Sequence, residues 1–124
     1  MRRYGLPLVH GTIFSLPFPD SSFDVIVCSE VIEHIPAGLE PFREMARVHR
    51  TGGILVLGTP DYATRSWRIF EDIYRRLAPG GYADEHITHY THASLVPLVT
   101  ALGYEYQRTD YVLGSEMILT FRKR

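Results

Sequence analysis

Phe23-Asp24-Val25-Ile26-Val27-Cys28-Ser29-Glu30-Val31-Ile32-Glu33-His34 is the stretch on which the fold turns. Val25 to Cys28 is an unbroken apolar run, the pattern of a strand covered on both faces in a parallel sheet. It stops abruptly in two carboxylates and an imidazole. In open α/β sheets, ligands sit just beyond the carboxyl ends of such strands. The Ser-Glu-x-x-Glu-His segment therefore marks a candidate site.

On either side of this strand, strand and helix signals alternate from Leu8 onward, which argues for an α/β architecture. Pro7 to Gly11 reads as a short first strand. Phe14 to Ser22 reads as a loop, because its Leu-Pro-Phe-Pro-Asp run holds two prolines that resist regular structure. After the central strand, the spacing of Leu39, Phe42, Met45, Ala46 and His49 predicts a helix over roughly Glu40 to His49, with Pro41 in its first turn and Gly52-Gly53 closing it. Ile54 to Gly58 is a second apolar strand, stopped by Thr59-Pro60-Asp61. Trp67 to Leu77 reads as an amphipathic helix ended by Pro79-Gly80-Gly81. A last helix spans about Thr91 to Leu102, with Thr91 as N-cap and Gly103 as C-cap. Pro97 inside it predicts a late start or a distorted first turn. Strands at about Tyr104 to Tyr111 and Met117 to Phe121 close the chain, antiparallel because the turn near Gly114-Ser115 is short.

The 124 residues suit one domain, with 45% hydrophobic and 22% charged residues, as in an ordinary soluble globular protein. A net charge of −1 argues against a nucleic-acid-binding surface. The lone Cys28 excludes an internal disulfide framework and reads as a small core hydrophobe. No apolar run reaches transmembrane length, and Arg2-Arg3 has no hydrophobic segment behind it to make a signal peptide, so a cytoplasmic protein is the expectation.

Several segments resemble the class I S-adenosylmethionine-dependent methyltransferases, of the methyltransferase type 11 kind. Gly11-Thr12-Ile13-Phe14-Ser15-Leu16-Pro17-Phe18-Pro19-Asp20-Ser21-Ser22-Phe23-Asp24 is similar to the region after their glycine-rich motif. Cys28-Ser29-Glu30-Val31-Ile32-Glu33-His34-Ile35 is similar to their fourth-strand motif. Arg47-Val48-His49-Arg50-Thr51-Gly52-Gly53-Ile54-Leu55-Val56 resembles the approach to their fifth strand. His89-Tyr90-Thr91 with Leu95 to Tyr104 resembles their last helix. The resemblance implies a Rossmann-like α/β sheet of parallel strands followed by a C-terminal antiparallel pair.

It also implies S-adenosylmethionine as cofactor, with Thr12 and Ile13 beside the adenine and Ser29 and Glu30 near the methionine part and the methyl. The family usually has an aspartate where Thr12 stands. The family begins with a strand, a glycine-rich turn, a helix and a second strand ending in an acid; here the resemblance sets in at the third strand. Residues 1–124 are thus expected to form a single partial methyltransferase domain, with neither element supplied before Gly11. The Val25–Ser29 strand would then expose an apolar edge, a template for pairing. A second copy of the chain, or a separate subunit carrying the missing half, is the expected partner.

Glu30, Glu33 and His34, at i, i+3 and i+4, project from one side if the segment makes a helical turn. With His86 or His89 they could hold magnesium or manganese, as in small-RNA 2′-O-methyltransferases and ubiquinone-biosynthesis O-methyltransferases. The plain alternative is that they cap a helix or line the pocket. His86 and His89 are also candidates for a catalytic base. The aromatic face of Trp67 to Leu77 either covers an apolar acceptor or packs on the body of the domain. Asp61 and Tyr62, just past the strand end, are placed to touch substrate. The first reading is methyl transfer to a small-molecule acceptor; the alternative is a catalytically inactive methyltransferase-like interaction subunit. An RNA acceptor is disfavoured by the charge.

Overall fold

The structure, a computed structural model, describes residues 5–78 and 86–124. The elements run β1 (Phe23–Ser29), a 3-10 turn (Ile32–His34), α1 (Glu40–Val48), β2 (His49–Pro60), α2 (Arg65–Leu77), α3 (His92–Thr100), β3 (Tyr104–Val112) and β4 (Glu116–Lys123). They form one sheet in the order β1-β2-β4-β3. β1 and β2 are parallel, while β4 runs antiparallel to both β2 and β3. The α/β class, the parallel pair and the antiparallel return all follow the sequence reading.

One face of the sheet carries the core. Cys28, Leu55, Leu57, Leu119, Phe121 and Tyr104 alternate inward along their strands and meet Phe42 and Met45 of α1 and Leu95 and Val99 of α3. His49 has no exposed surface and ties three elements. Its Nε2 lies 3.2 Å from the Asp24 carbonyl, which can only accept, so Nε2 carries the proton and Nδ1 accepts from the Tyr104 hydroxyl at 2.9 Å. Burial holds this imidazole below its ordinary pKa, in keeping with a neutral ring. Lys123 Nζ then donates to the carbonyls of Ala46 and His49 at 2.6 Å each, satisfying the C-terminal end of α1.

The opposite face is open, which corrects the expectation of a strand covered on both sides. Val25 and Val27 are 59% and 68% exposed. They lie beside half-buried Ile54 and Val56 in the parallel register, and Ile118 continues the face on β4. A continuous apolar run thus reports that both faces are meant to be covered, not that this chain covers them. Full burial of such a side chain contributes roughly 1.5–3 kcal/mol. β1 is an edge strand, as anticipated.

Other boundaries moved for local reasons. Pro7 to Gly11 is not a strand: no strand lies on the free side of β1 among the described residues, so the segment has no ladder to join. α1 stops at Val48 because His49 is already in β2, and Gly52-Gly53 lies within that strand, Gly52 at φ +82°. Gly53 has no room for a side chain, since a Cβ there would come within 2.6 Å of the Asp24 carbonyl oxygen. α3 starts at His92, neither late nor distorted: Thr91 and Ser94 form a reciprocal capping box, and Pro97 removes only the bond to the exposed Ala93. The turn between β3 and β4 has Leu113 and Gly114 at φ +51° and +67°, the paired left-handed geometry of a tight hairpin. The expected helix stop at Pro79-Gly80-Gly81 and the Arg2-Arg3 start lie outside the described residues.

The proline-rich loop is fastened by Arg47, which pairs with both Glu44 and Asp20. Arg47 bonds Glu44 through Nε at 2.8 Å and reaches the carbonyls of Phe18 and Leu16 and the Asp20 carboxylate. Glu44 in turn accepts from the Leu16 amide at 2.8 Å. Hydrogen bonds from Arg47 first, then from Leu16, pull the Glu44 carboxyl down to about 2 from 4.5. Its folded pKa is depressed, so its contribution is present above pH 4.5 and lost as pH falls towards 2. Glu44→Ala should accelerate hydrogen exchange at the Leu16 amide and flatten the acid limb of the stability curve in that window, with strand amides unchanged. An unaltered Leu16 exchange rate would remove Glu44 as the fastener.

Candidate functional site

The carboxyl ends of β1 and β2 and the start of β4 meet at one end of the sheet. Here β1 makes a sharp exit: Glu30 takes a left-handed conformation, φ +55°, uncommon for a residue with a side chain. Its amide still donates to the Gly58 carbonyl at 3.0 Å, so the bend is held by β2. The 3-10 turn follows and buries Ile32 and Glu33 completely.

Consecutive residues at this tip face different spaces. Ser29 lines a groove of about 360 Å³ with Thr12 and Ile13, whose walls include Val9, Leu16, Val27 and Met45. Glu30 instead lines a second cavity, of about 320 Å³, with Trp67, Phe70 and Tyr74 of α2 and with Glu71, His86 and Glu116. Of the four residues expected around the cofactor, the structure gathers Thr12, Ile13 and Ser29 and sets Glu30 on the other side of the strand tip.

The metal candidates divide in the same way. Ligand atoms of Glu33, His34 and His86 lie within 4.8 Å of one another. Glu30 is not in that group; its carboxyl bonds to Glu116 and Glu33. The half-turn therefore projects Glu33 and His34 together but not Glu30, because the left-handed residue breaks the helical spacing. Glu33 is fixed from three sides. Thr59 Oγ1 donates to its Oε2 at 3.3 Å, and its main-chain carbonyl accepts from the amides of Ile87 and Thr88 at 2.9 and 3.1 Å. Thr88 Oγ1 donates to the Ile35 carbonyl at 2.6 Å, completing the clamp on the histidine segment.

His86 and His89 part company. His86 is buried, lines the second cavity, stacks on Trp67 and exchanges a 2.6 Å hydrogen bond with the Tyr62 hydroxyl. Burial, then the neighbouring His34, lowers its pKa, so the ring is neutral near pH 7. His89 is exposed, donates to the His86 carbonyl at 3.1 Å and stacks on Tyr62 with ring centroids 4.1 Å apart. It lines neither cavity. Asp61 has a structural task too, accepting from the Ala63 amide and the Tyr111 hydroxyl. Cys28 is buried next to Glu33, and its thiol is pushed up to about 11, first by burial.

α2 settles the reading of its aromatic stripe. None of its residues is fully buried, and the stripe packs on the body of the domain through Trp67, against Tyr62 and His86, while Ile69, Phe70, Ile73, Tyr74 and Leu77 are all exposed. Glu71 and Glu116 went unnoticed in the sequence. Glu116 pairs opposite Pro60 because β4 inserts beside β2 in reverse, which brings its first residue to the tip of the parallel strands. A hairpin is legible in the sequence; that it docks on β2 from this direction is not.

Comparison with known proteins fits this geometry. Residues 2–57 match the methyltransferase domain family model. The demethylmenaquinone methyltransferase of Beutenbergia cavernae is 32% identical over 111 residues, 90% of this chain and 40% of that protein. The enzyme of the same name from Listeria welshimeri is 32% identical over 78 residues, 61% of this chain and 33% of that protein. The chain thus spans about two fifths or less of these curated relatives. Among solved structures, a SAM-dependent methyltransferase from Thermotoga maritima superposes with a TM-score of 0.80 at 20% identity, over 99% of this chain and 67% of that one. Another from Methanosarcina mazei gives 0.67 at 22% identity, over 91% and 65%. The chain is similar in sequence to the class I S-adenosylmethionine-dependent methyltransferases and shares their Rossmann-like fold. The family's cofactor is S-adenosylmethionine.

Glu30 offers a direct test of the site's electrostatics. Its carboxyl is pushed up from 4.5 to about 7, first by burial and then by the bond to Glu116. The folded state therefore holds this proton more tightly than the unfolded chain, and stability from it is lost as pH rises from 4.5 through about 7. His49 and His86 act in the opposite sense but are common to wild type and Glu30→Gln. Urea unfolding of the two proteins across that window should show wild type losing ground to the variant as pH rises. Parallel curves would refute the assignment.

Proposed function

We propose that this chain is the acceptor-side portion of an S-adenosylmethionine-dependent methyltransferase acting on a small molecule. The observation that carries the reading is the partition at the tip of β1. Ser29 lines one groove with Thr12 and Ile13, and the next residue lines a separate cavity with a neutral imidazole. Such an arrangement would suit a donor and an acceptor held on either side of two adjacent residues.

The groove fits part of the cofactor. Its walls are apolar where adenine would lie, and Thr12 offers a hydroxyl in place of the family's aspartate. Among the described residues no carboxylate lines it to receive the ribose hydroxyls. The bound cofactor supplies an activated methyl group, so the protein's work is positioning and proton handling. Ser29 and Ile13 would hold and orient it. His86, kept neutral by burial and steadied by Tyr62, is the candidate base for the acceptor's proton.

The open face and edge of β1 support a requirement for a covering layer, a place that the glycine-rich half of the fold would suit. Val25 and Val27 would pack beneath it, and the β1 edge would pair with its first strand. Alone, the chain should elute as an assembly or bind a dye for exposed apolar surface. It should bind S-adenosylmethionine measurably only when the complementary half is supplied. A dye-silent monomer would overturn the partner requirement; no cofactor binding in the completed assembly would support the inactive-subunit reading instead.

The clustering of Glu33, His34 and His86 supports a second, finer reading, in which these residues hold magnesium or manganese. Calorimetry with each ion should give heat that disappears in Glu33→Ala. No heat in the wild-type protein ends that reading.

A further inference from the structure

The second cavity has a chemistry that methyl transfer alone does not explain. Three carboxylates, Glu30, Glu71 and Glu116, line it together with three aromatic rings, and among the described residues no lysine or arginine does. Glu71 is engaged by Arg75 from the solvent side at 3.0 Å. Glu30 and Glu116 line the same wall, an arrangement that favours a cation between them. Glu116 Oε1 is buried with no hydrogen-bond partner, and so is the indole N–H of Trp67. Behind Glu30 stands Glu33, with no exposed surface and with Oε1 likewise unbonded. Buried acceptors left unmade are costly, and a ligand that donates to them recovers that cost.

We propose that this cavity binds an organic ammonium group, so that the methyl acceptor is an amine-bearing small molecule, cationic at neutral pH. The aromatic walls decide between an ammonium and a bare metal ion. Magnesium needs closely converging oxygen ligands and keeps its waters, and rings offer it nothing. An alkylammonium is attracted to the faces of Trp67 and Tyr74 and donates hydrogen bonds to Glu116 and Glu30 at the same time. The volume of about 320 Å³ suits a small organic molecule rather than an ion. Ile69, Phe70, Ile73, Tyr74 and Leu77 of α2 are exposed, so an occupant of the cavity is also what its apolar stripe would close upon.

The inference rests on reading this cavity as the acceptor side, and the test separates the two. Phenethylamine, 3-phenylpropan-1-ol and 3-phenylpropionate present the same ring with a positive, neutral or negative head. Calorimetry on the full chain, in the assembly in which it is folded, should show the amine binding about tenfold or more tighter than either analogue. Glu116→Gln and Trp67→Leu should each weaken it by about that factor with the melting temperature held. Asp72→Asn removes a charge from α2 outside this cavity and should leave binding unchanged; an equal loss there would mean general electrostatics and overturn the proposal. Equal affinity for all three probes, or binding of magnesium chloride but not of the amine, would overturn it as well. If amine binds while S-adenosylmethionine does not, the cavity stands and the methyltransferase reading falls. The reverse result leaves that reading in place and removes this one.

Discussion

The buried carboxylate of Glu33 is the constraint on which the site depends. A carboxyl group with no exposed surface is costly to desolvate, and burial raises its pKa accordingly. The fold tolerates it by giving its side chain one donor and fixing its backbone. Thr59 at the end of β2 donates to the side chain, and the amides of Ile87 and Thr88 close on the main-chain carbonyl. One residue thereby fastens the exit of β1, the end of β2 and the histidine segment to each other. His86 reaches its cavity only because that segment is held there.

A second constraint is geometric. In a strand, successive side chains point to opposite faces, so Ser29 and Glu30 would diverge in any case. The left-handed conformation of Glu30 sharpens the divergence and turns its carboxyl towards β4. A non-glycine residue in that region costs about 1–2 kcal/mol, which the bond to Gly58 and the contact with Glu116 offset. Gly58 must remain small for the same reason, since a Cβ there would stand 2.4 Å from the Ser29 hydroxyl oxygen. The strand tip is thus a wall between two spaces rather than one wall of a single pocket.

Much of this was legible in the residues, and the failures share a cause. Apolar runs, the Thr91 cap and the hairpin turn are local signals, and they placed β1, β2, α3 and the β3–β4 pair. The i, i+3, i+4 spacing was read as helical, but a left-handed residue at Glu30 interrupts it, and nothing local in Ser-Glu-Val announces that. Pro7 to Gly11 has strand character yet needs a neighbour to become one. Glu71 and Glu116 are ordinary surface carboxylates until the order of the strands brings them to the tip of β1. Sequence periodicity describes an element's faces; what covers each face is a long-range fact.

That distinction bears on how the two sides of the tip differ. The cavity beside Glu30 is walled by α2, β4 and the histidine segment, all of them within this chain. The groove beside Ser29 has apolar walls, the hydroxyls of Thr12 and Ser29 and, among the described residues, no acid, and the sheet beside it ends in the bare face of Val25 and Val27. Parallel strands are almost always covered on both faces. A layer over Val25 and Val27 would cover the sheet and wall the groove beside Ser29 together. A layer of that kind would link the fold's stability to the affinity of that groove for its ligand.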